Sequence, residues 1–540
     1  MCTICGHFAH TKIESQDVYD MLVKMEHRGP DVHGTYVDGR IDRRVDLADL
    51  NQVLPPSRIA LGHSRLALVG PDTIAQPFQS CDGRLALIHN GEIYNYQKLR
   101  SLLHNDHHLA SRSDSEIIVH LLEETYEGDL LAAVRRVIGI LDGMYALAVT
   151  DGHQVVVARD PVGKKPVYYI HNDGVTYFAS EKKALWNGKE EPTRLLPSTL
   201  LHLGPQGPSV ADGFPLQLPQ IDIVEFDEAV RLYRESIQRA VRKRLTGLEE
   251  PNLGVIFSGG VDSVLIAKLL QSEGKRITCY CVGTQDSGDI RSAAAVAKEL
   301  NLPLKTWILD EDKVLALLPE IIRSVEESGL LQVEVAIPMY LAAKMAKDDE
   351  IRVMFSGQAA DELFAGYAWY NHVVNLGLLR LHEKLWEDIN LLYNDTLERE
   401  DKLTMAHSIE LRVPYLDVDV IRTAMRISPA LKIQHQDDMM RKMVHRQAAF
   451  ELGVPRDIAF RAKDPAQSGS GIHGLIERSV LKGKTPANEL LVEQNRLRDK
   501  GSLYRYGGGA DEYGEDVVRS YLEGLAHSIR REYVPDFLRQ

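Results

Sequence analysis

The chain has 540 residues, 44% apolar and 26% charged, with a formal charge of -14. This is the make-up of a soluble globular protein with room for roughly two to four domains, and the acidic balance argues against a general nucleic-acid-binding surface. No apolar run approaches the roughly 20 residues that a membrane span needs, so no membrane partner is expected.

The N-terminus, MCTICGHFAH, has no basic stretch ahead of an apolar core, which predicts no secretory signal. Five cysteines (Cys2, Cys5, Cys81, Cys279, Cys281) are too few for a disulfide scaffold and fit a reducing, cytoplasmic setting. A zinc site from Cys2/Cys5 with Cys279/Cys281 is disfavoured, because the second pair is a C-x-C inside a strand pattern. Cys2 is the informative cysteine. Once Met1 is removed, its thiol and a free α-amino group put nucleophile and base in one residue.

Downstream, polar turns punctuate apolar strands. HRGPD (His27 to Asp31) is a Gly-Pro turn after a helix over Asp17 to Glu26. LGHSRLALVG places Arg65 in a strand, where a guanidinium can clamp a carboxylate. ALIHNGEIYNYQKLR runs a strand into an Asn-Gly turn, and the Asn90 amide with the Gly91 N–H can form an oxyanion hole. SRSDSEIIVHLLEETY puts Asp114 at a helix start, available to an ammonium group. Together these groups describe a site for glutamine.

Cys2, HRGPD, GHSRL, NGEIYN, SDSE, LDGMYALAV, ARDPVGKKPVYY and FASEKKAL follow one another as in class II glutamine amidotransferase domains, which this half resembles. The resemblance implies an αββα four-layer sandwich with an N-terminal nucleophile. It implies that Cys2 attacks the glutamine amide, that Asn90 and Gly91 stabilise the oxyanion, and that Arg65, Asn90, Glu92 and Asp114 hold the substrate. One departure is Cys2-Thr3-Ile4, where the family usually reads Cys-Gly-Ile. A Thr at that tight place is expected to affect how the nucleophile sits.

Residues 2–205 are assigned to this domain and 206–225, rich in Pro and Gly, to a linker. The domain over 226–540 opens on an amphipathic helix, Phe226 to Leu245. LGVIFSGGVDS then gives a buried strand, a glycine turn and a helix start, the arrangement that offers backbone N–H groups and a dipole end to an anion. Asp262 would repel a bare phosphate, which suggests a bridging divalent cation. Alternating strands and helices follow (ITCYCVG, SGDIRSAAAVAKEL, LKTWILD, VMFSG), as in a doubly wound parallel sheet with ligands at the strands' C-terminal ends.

SGGVDS resembles the pyrophosphate loop of ATP pyrophosphatases. With FSGQAADELFAGY, MAHSIELRVPYLD and RAKDPAQSGSG, this half resembles the synthetase domain of glutamine-hydrolysing asparagine synthetases. By that resemblance Ser258, Gly259, Gly260, Asp262 and Ser263 hold pyrophosphate, and Ile256, Val282, Gly283, Ser356 and Gly357 line the ATP site. Asp262 and Asp361 serve Mg2+, Lys463 neutralises charge on the phosphates, and Gln358 and Glu362 face the acceptor substrate. The implied substrates are ATP, aspartate and glutamine, and a homodimer is a family expectation. The family commonly reads SGEG(S/A)DE, whereas this chain has Gln358 and Ala359, and a glutamine cannot act as a base. Three other readings stay open: the same machinery amidating or cyclising another carboxylate, a non-catalytic glutamine- and nucleotide-binding protein, and sulfur transfer to tRNA. The last is disfavoured by the glutaminase half and the acidic charge. Beyond about Glu477 only a closing helix, Val517 to Val534, is read.

Overall fold

The computed structural model describes residues 2–50, 54–70, 74–187, 190–435, 437–461, 470–472, 475–481 and 512–534. The first half is built on thirteen strands: β1 (Cys2–Ile13), β2 (Val32–Val37), β3 (Arg40–Arg44), β4 (Ser57–Arg65), β5 (Phe78–Gln79), β6 (Ala86–Ile93) and β7 (Gly143–Thr150) come first. β8 (Val155–Arg159), β9 (Tyr168–Asn172), β10 (Val175–Ala179), β11 (Thr193–Arg194), β12 (Thr199–Gly204) and β13 (Gly207–Asp212) complete the set. They make two antiparallel sheets, ordered β11-β9-β10-β1-β4-β2-β3 and β13-β12-β8-β7-β6-β5.

Strand alternation explains the layering. On β8, Val155 and Val157 enter the core between the sheets with Ile4, Phe8 and Ile88. Their neighbours Val156 and Ala158 face the opposite way, into a second core with Leu121 and Val134 of the helices Glu116–Thr125 and Leu130–Ile138. On the outer face of the other sheet, Cys5 packs against Val18 and Leu22 of the helix Gln16–Lys24. The result is the expected αββα sandwich. The helix expected over Asp17 to Glu26 is shorter and is followed by a 3-10 turn, Glu26–Arg28. Residues 207–212, read as linker, are instead a strand: β13 hydrogen-bonds to β12 from Thr199↔Asp212 to Gly204↔Gly207. Pro and Gly in that stretch mark its hairpin rather than a loose connection.

The second half carries a parallel sheet ordered β16-β15-β14-β17-β18. Its strands are β14 (Asn252–Ile256), β15 (Arg276–Thr284), β16 (Leu304–Leu309), β17 (Val353–Phe355) and β18 (Glu410–Arg412). From β14 the order runs one way through β15 and β16 and the other way through β17 and β18, so a crevice opens at β14's C-terminal end. Leu253 and Val255 of β14 are fully buried among helices on both faces, as a continuous apolar run requires.

The helix Glu512–Tyr533 touches both halves. Its Tyr533 carbonyl accepts from Lys24 Nζ (3.2 Å), Arg530 pairs with Glu191, and Glu532 pairs with Arg323 (2.8 Å). Among the described residues no helix is long and apolar enough to cross a membrane.

Candidate active sites

In the first half, β1 and β4 place Cys2 opposite Arg65, and β6 of the facing sheet packs against them. The Cys2 N–H donates to Asn90 Oδ1 at 2.9 Å. The same amide's Nδ2 is buried and has no hydrogen-bond partner among the described residues, so a free donor stands on the side chain that holds the Cys2 N–H. Gly91 has φ +152, and a Cβ there would lie 1.9 Å from the Met144 carbonyl, so only glycine fits. Burial pushes the Cys2 thiol pKa up, and Arg65 draws it back down.

Thr3, the departure noted above, is buried and donates to the Met25 carbonyl at 3.1 Å. Its hydroxyl is thus satisfied while Cys2 keeps its bond to Asn90. The Arg65 guanidinium donates to the carbonyls of Val69 (2.7 Å) and Ile74 (2.6 Å), fixing the segment after β4. Asp114 accepts from the Ile93 N–H at 2.7 Å. Burial raises the pKa of both Asp114 and Glu92, and Glu92 is raised further by Asp114 and Glu410 while Arg412, 3.8 Å away, opposes it. The candidate glutamine-binding acids therefore sit in a buried pocket that favours an incoming cation.

In the second half, Ser258, Gly259 and Gly260 lead from β14 into the helix Val261–Ser272, which starts with Asp262 and Ser263 in its first turn. Gly259 has φ +72 and lies so close to Ser292 and Ala293 that a Cβ would approach them at 2.8 Å. Gly357, after β17, abuts the same turn: a Cβ there would lie 3.0 Å from the Ser263 nitrogen. Val282 and Gly283 end β15, and Ile256 ends β14, all at the crevice. The Gln358 N–H donates to Ser356 Oγ at 3.2 Å, and Glu362 accepts from the Tyr367 hydroxyl at 2.9 Å. Lys463 lies outside the described residues.

The acids at this crevice are held by a lysine to which the sequence reading gave no role. Lys442 Nζ lies 2.8 Å from both Asp262 oxygens and 2.8 Å from Asp361 Oδ1, and its side chain is 1% exposed. His445 Nε2 adds a contact to Asp262 at 3.0 Å, and its Nδ1 meets the Tyr233 hydroxyl at 2.7 Å. Asp262 and Asp361, from the first turns of two helices, Val261–Ser272 and Ala360–Phe364, thus converge on one cation position. Two convergent carboxylates are the hard oxygen donors that a divalent ion such as Mg2+ takes, and the Lys442 ammonium stands between them in this structure. In sequence the only trace is the basic run MRKMVHR, which looks like any solvated helix start.

Buried ion pairs join the halves. Arg28 is bonded to Glu181 (2.7 Å) and Asp401 (2.6 Å), Lys165 pairs with Asp401 (3.2 Å), and Arg159 with Glu398 (3.0 Å). Glu398 and Asp401 belong to the helix Glu398–Met405, whose Asp401 meets Arg28 beside Cys2 and whose Glu400 feels the charge of Glu362. On the same helix Glu400 is 3% exposed, and its Oε2 has no partner among the described residues. Burial, with Glu362 adding to it and Arg399 opposing, pushes its pKa up to about 7.

Comparison with known proteins finds similarity over both halves. A glutamine amidotransferase domain model matches residues 1–203, and an asparagine synthase model matches residues 232–380 and 375–500. A protein of Methanocaldococcus jannaschii named "Putative asparagine synthetase [glutamine-hydrolyzing] 1" is 33% identical over 91% of this chain and 98% of its own. Asparagine synthetase [glutamine-hydrolyzing] 2 of Arabidopsis thaliana is 28% identical over 87% of this chain and 78% of its own. Among solved structures, the glutamine PRPP amidotransferase of B. subtilis matches 56% of this chain and 65% of its own at 19% identity, with a TM-score of 0.34.

Proposed function

The chain belongs to the family of glutamine-hydrolysing asparagine synthetases, and from this premise we propose that it converts aspartate, glutamine, ATP and water to asparagine, glutamate, AMP and pyrophosphate. The observation that carries the reading is the Cys2–Asn90 pair, in which one amide takes the Cys2 N–H and offers its own unpaired N–H beside it.

In the first site the free α-amino group of Cys2, exposed once Met1 is removed, takes the thiol proton, and the thiolate attacks the glutamine amide. Asn90 Nδ2 and the Gly91 N–H receive the oxyanion. Arg65, Glu92 and Asp114 hold the amino-acid end of the substrate. Ammonia leaves, a thioester remains, and water releases glutamate.

In the second site the turn Ser258–Ser263 holds the pyrophosphate portion of ATP, with adenine against Ile256, Val282 and Gly283. Asp262 and Asp361 would hold Mg2+, which supplies screening of the triphosphate charge. Lys442 keeps both carboxylates aimed at that position, and Lys463 is assigned to the same phosphates. The aspartate side-chain carboxylate displaces pyrophosphate from the α-phosphate, and ammonia then attacks the adenylated carbonyl, expelling AMP and losing a proton to leave the amide. Gln358 can orient the acceptor but cannot take a proton. Glu362, 5% exposed in the helix Ala360–Phe364 that follows, is the acid assigned to the same acceptor.

The domain division at about 205 and 226, a homodimer and a cytoplasmic setting belong to the same proposal. All five cysteines are free thiols, which supports the last. A second reading, amidation of a different carboxylate, is favoured by Gln358 alone. Pyrophosphate release from Mg-ATP with aspartate, with glutamine or ammonium chloride, tests both for wild type and Cys2→Ala. Aspartate-dependent release that Cys2→Ala loses only with glutamine supports the proposal. No release with aspartate, while glutamine is still hydrolysed, would turn the assignment to another acid.

A further inference from the structure

Away from both sites, the turn after β5, the segment before the helix Glu116–Thr125 and that helix bring four donor atoms together. Cys81 Sγ lies 3.7 Å from His107 Nδ1 and 3.7 Å from His120 Nδ1. Glu123 Oε2 lies 3.2 Å from His107 Nδ1 and 3.4 Å from His120 Nδ1. All four atoms fall within 4.8 Å of one another, the single such group among the described residues.

A tetrahedral zinc ion, with bonds of about 2.3 Å to sulfur and about 2.0–2.1 Å to nitrogen or oxygen, sets S···N edges of roughly 3.5 Å and N···O edges of roughly 3.3 Å. The cluster therefore already has the dimensions of a zinc site. Its composition agrees: one thiolate and one carboxylate neutralise a divalent ion, and thiolate with imidazole disfavours Mg2+ or Ca2+.

The surroundings are those that orient metal ligands. His107 Nε2 meets Glu124 Oε1 at 3.1 Å, and His120 Nε2 faces Glu116 Oε1 at 3.9 Å. The Cys81 and Asp82 N–H groups donate to Glu123 at 2.9 and 3.0 Å, and the His108 N–H donates to Cys81 Sγ at 3.4 Å. The two histidine side chains are 4% and 2% exposed, while Cys81 is open to solvent and leaves an entry path.

We propose that Cys81, His107, His120 and Glu123 bind a structural zinc ion with four protein ligands. Binding releases the Cys81 thiol proton to solvent and forms four metal–ligand bonds. The ion would pin the segment that Glu116 also holds through the Ala110 and Ser111 N–H groups, and that leads to Asp114 of the glutamine pocket. The inference does not depend on the identity of the acceptor carboxylate.

The test is metal content of the full-length protein by mass spectrometry, followed by titration of the metal-free protein with Zn2+ and Co2+. One zinc per chain, tetrahedral cobalt bands in the visible and a thiolate charge-transfer band are expected. Cys81→Ser, a small change at an exposed position, is expected to lose the charge-transfer band and to weaken zinc binding at least about tenfold. His120→Ala should do the same, but its buried site can disturb folding, so Cys81→Ser decides. Wild-type protein that neither retains zinc nor gives tetrahedral cobalt bands overturns the proposal, as does Cys81→Ser that binds cobalt with an unchanged spectrum. Either result leaves a hydrogen-bonded His–Glu patch in its place.

Discussion

Arg28 and Asp401, 373 positions apart, face each other at 2.6 Å with both side chains buried. Arg28 also donates to Glu181 and, through Nε, to the Cys2 carbonyl at 3.4 Å, so one guanidinium links the Cys2 strand to the helix Glu398–Met405. Removing one partner of a buried pair leaves an uncompensated charge, which costs about 3–5 kcal/mol. Arg28→Met is therefore expected to lower the free energy of unfolding in urea by about 3 kcal/mol, Lys165 and Lys183 covering part of the loss. A change within experimental error would mean that the pair carries no net stabilisation.

Lys442→Met removes the cation shared by Asp262 and Asp361. Loss of one preorganised charge of this kind costs roughly 100- to 1,000-fold in rate. Pyrophosphate release should fall by about that factor while glutamate release from glutamine persists. A parallel loss of both activities would point to a folding defect.

Glu400 titrates near pH 7 in the folded protein, against an ordinary 4.5. A carboxyl raised in this way binds its proton more tightly when folded. Its contribution to stability is full below about pH 4.5 and is lost as pH rises through about 7. Glu400→Gln should flatten that part of the profile and make the protein more stable than wild type at about pH 8. Urea midpoints across this range are the measurement, and parallel wild-type and variant profiles would refute the assignment.

Lys432 shows the opposite sign. It is fully buried over the Phe364 ring at 5.8 Å, its Nζ has no hydrogen-bond partner among the described residues, and burial lowers its pKa to about 7. Stability from this group is present above its ordinary 10.5 and is lost as pH falls through about 7. Lys432→Met is expected to raise the unfolding midpoint at neutral pH, and more so at about pH 6.

Ala359 occupies the left-handed region at φ +78. A non-glycine residue there costs about 1–2 kcal/mol, partly offset by the greater freedom glycine has when unfolded. Ala359→Gly should stabilise by up to about 1 kcal/mol in denaturant melts. No gain would show that the surrounding loop relaxes to accommodate the alanine.

The readable parts of this chain were those governed by local chemistry. The glycine turn after β14 announces itself because the backbone must turn sharply and then open a helix, and the structure shows both. Alternating residues on β8 similarly reveal two faces before any partner is known. Lys442, Arg28 and Asp401 were illegible for the converse reason: each matters through a residue far along the chain, and a single charged residue in a helix or turn looks solvated until folding buries it. Cys81, His107 and His120 share that difficulty, since the cluster has no fixed sequence spacing. β13 misled in a third way, its hairpin glycines and prolines resembling those of a connector.

The helix Glu512–Tyr533 is fastened to Lys24 and Glu191 on one side and Arg323 on the other. A hinge motion between the halves would have to break these contacts together with the buried pairs that Arg28, Lys165 and Arg159 make with Asp401 and Glu398.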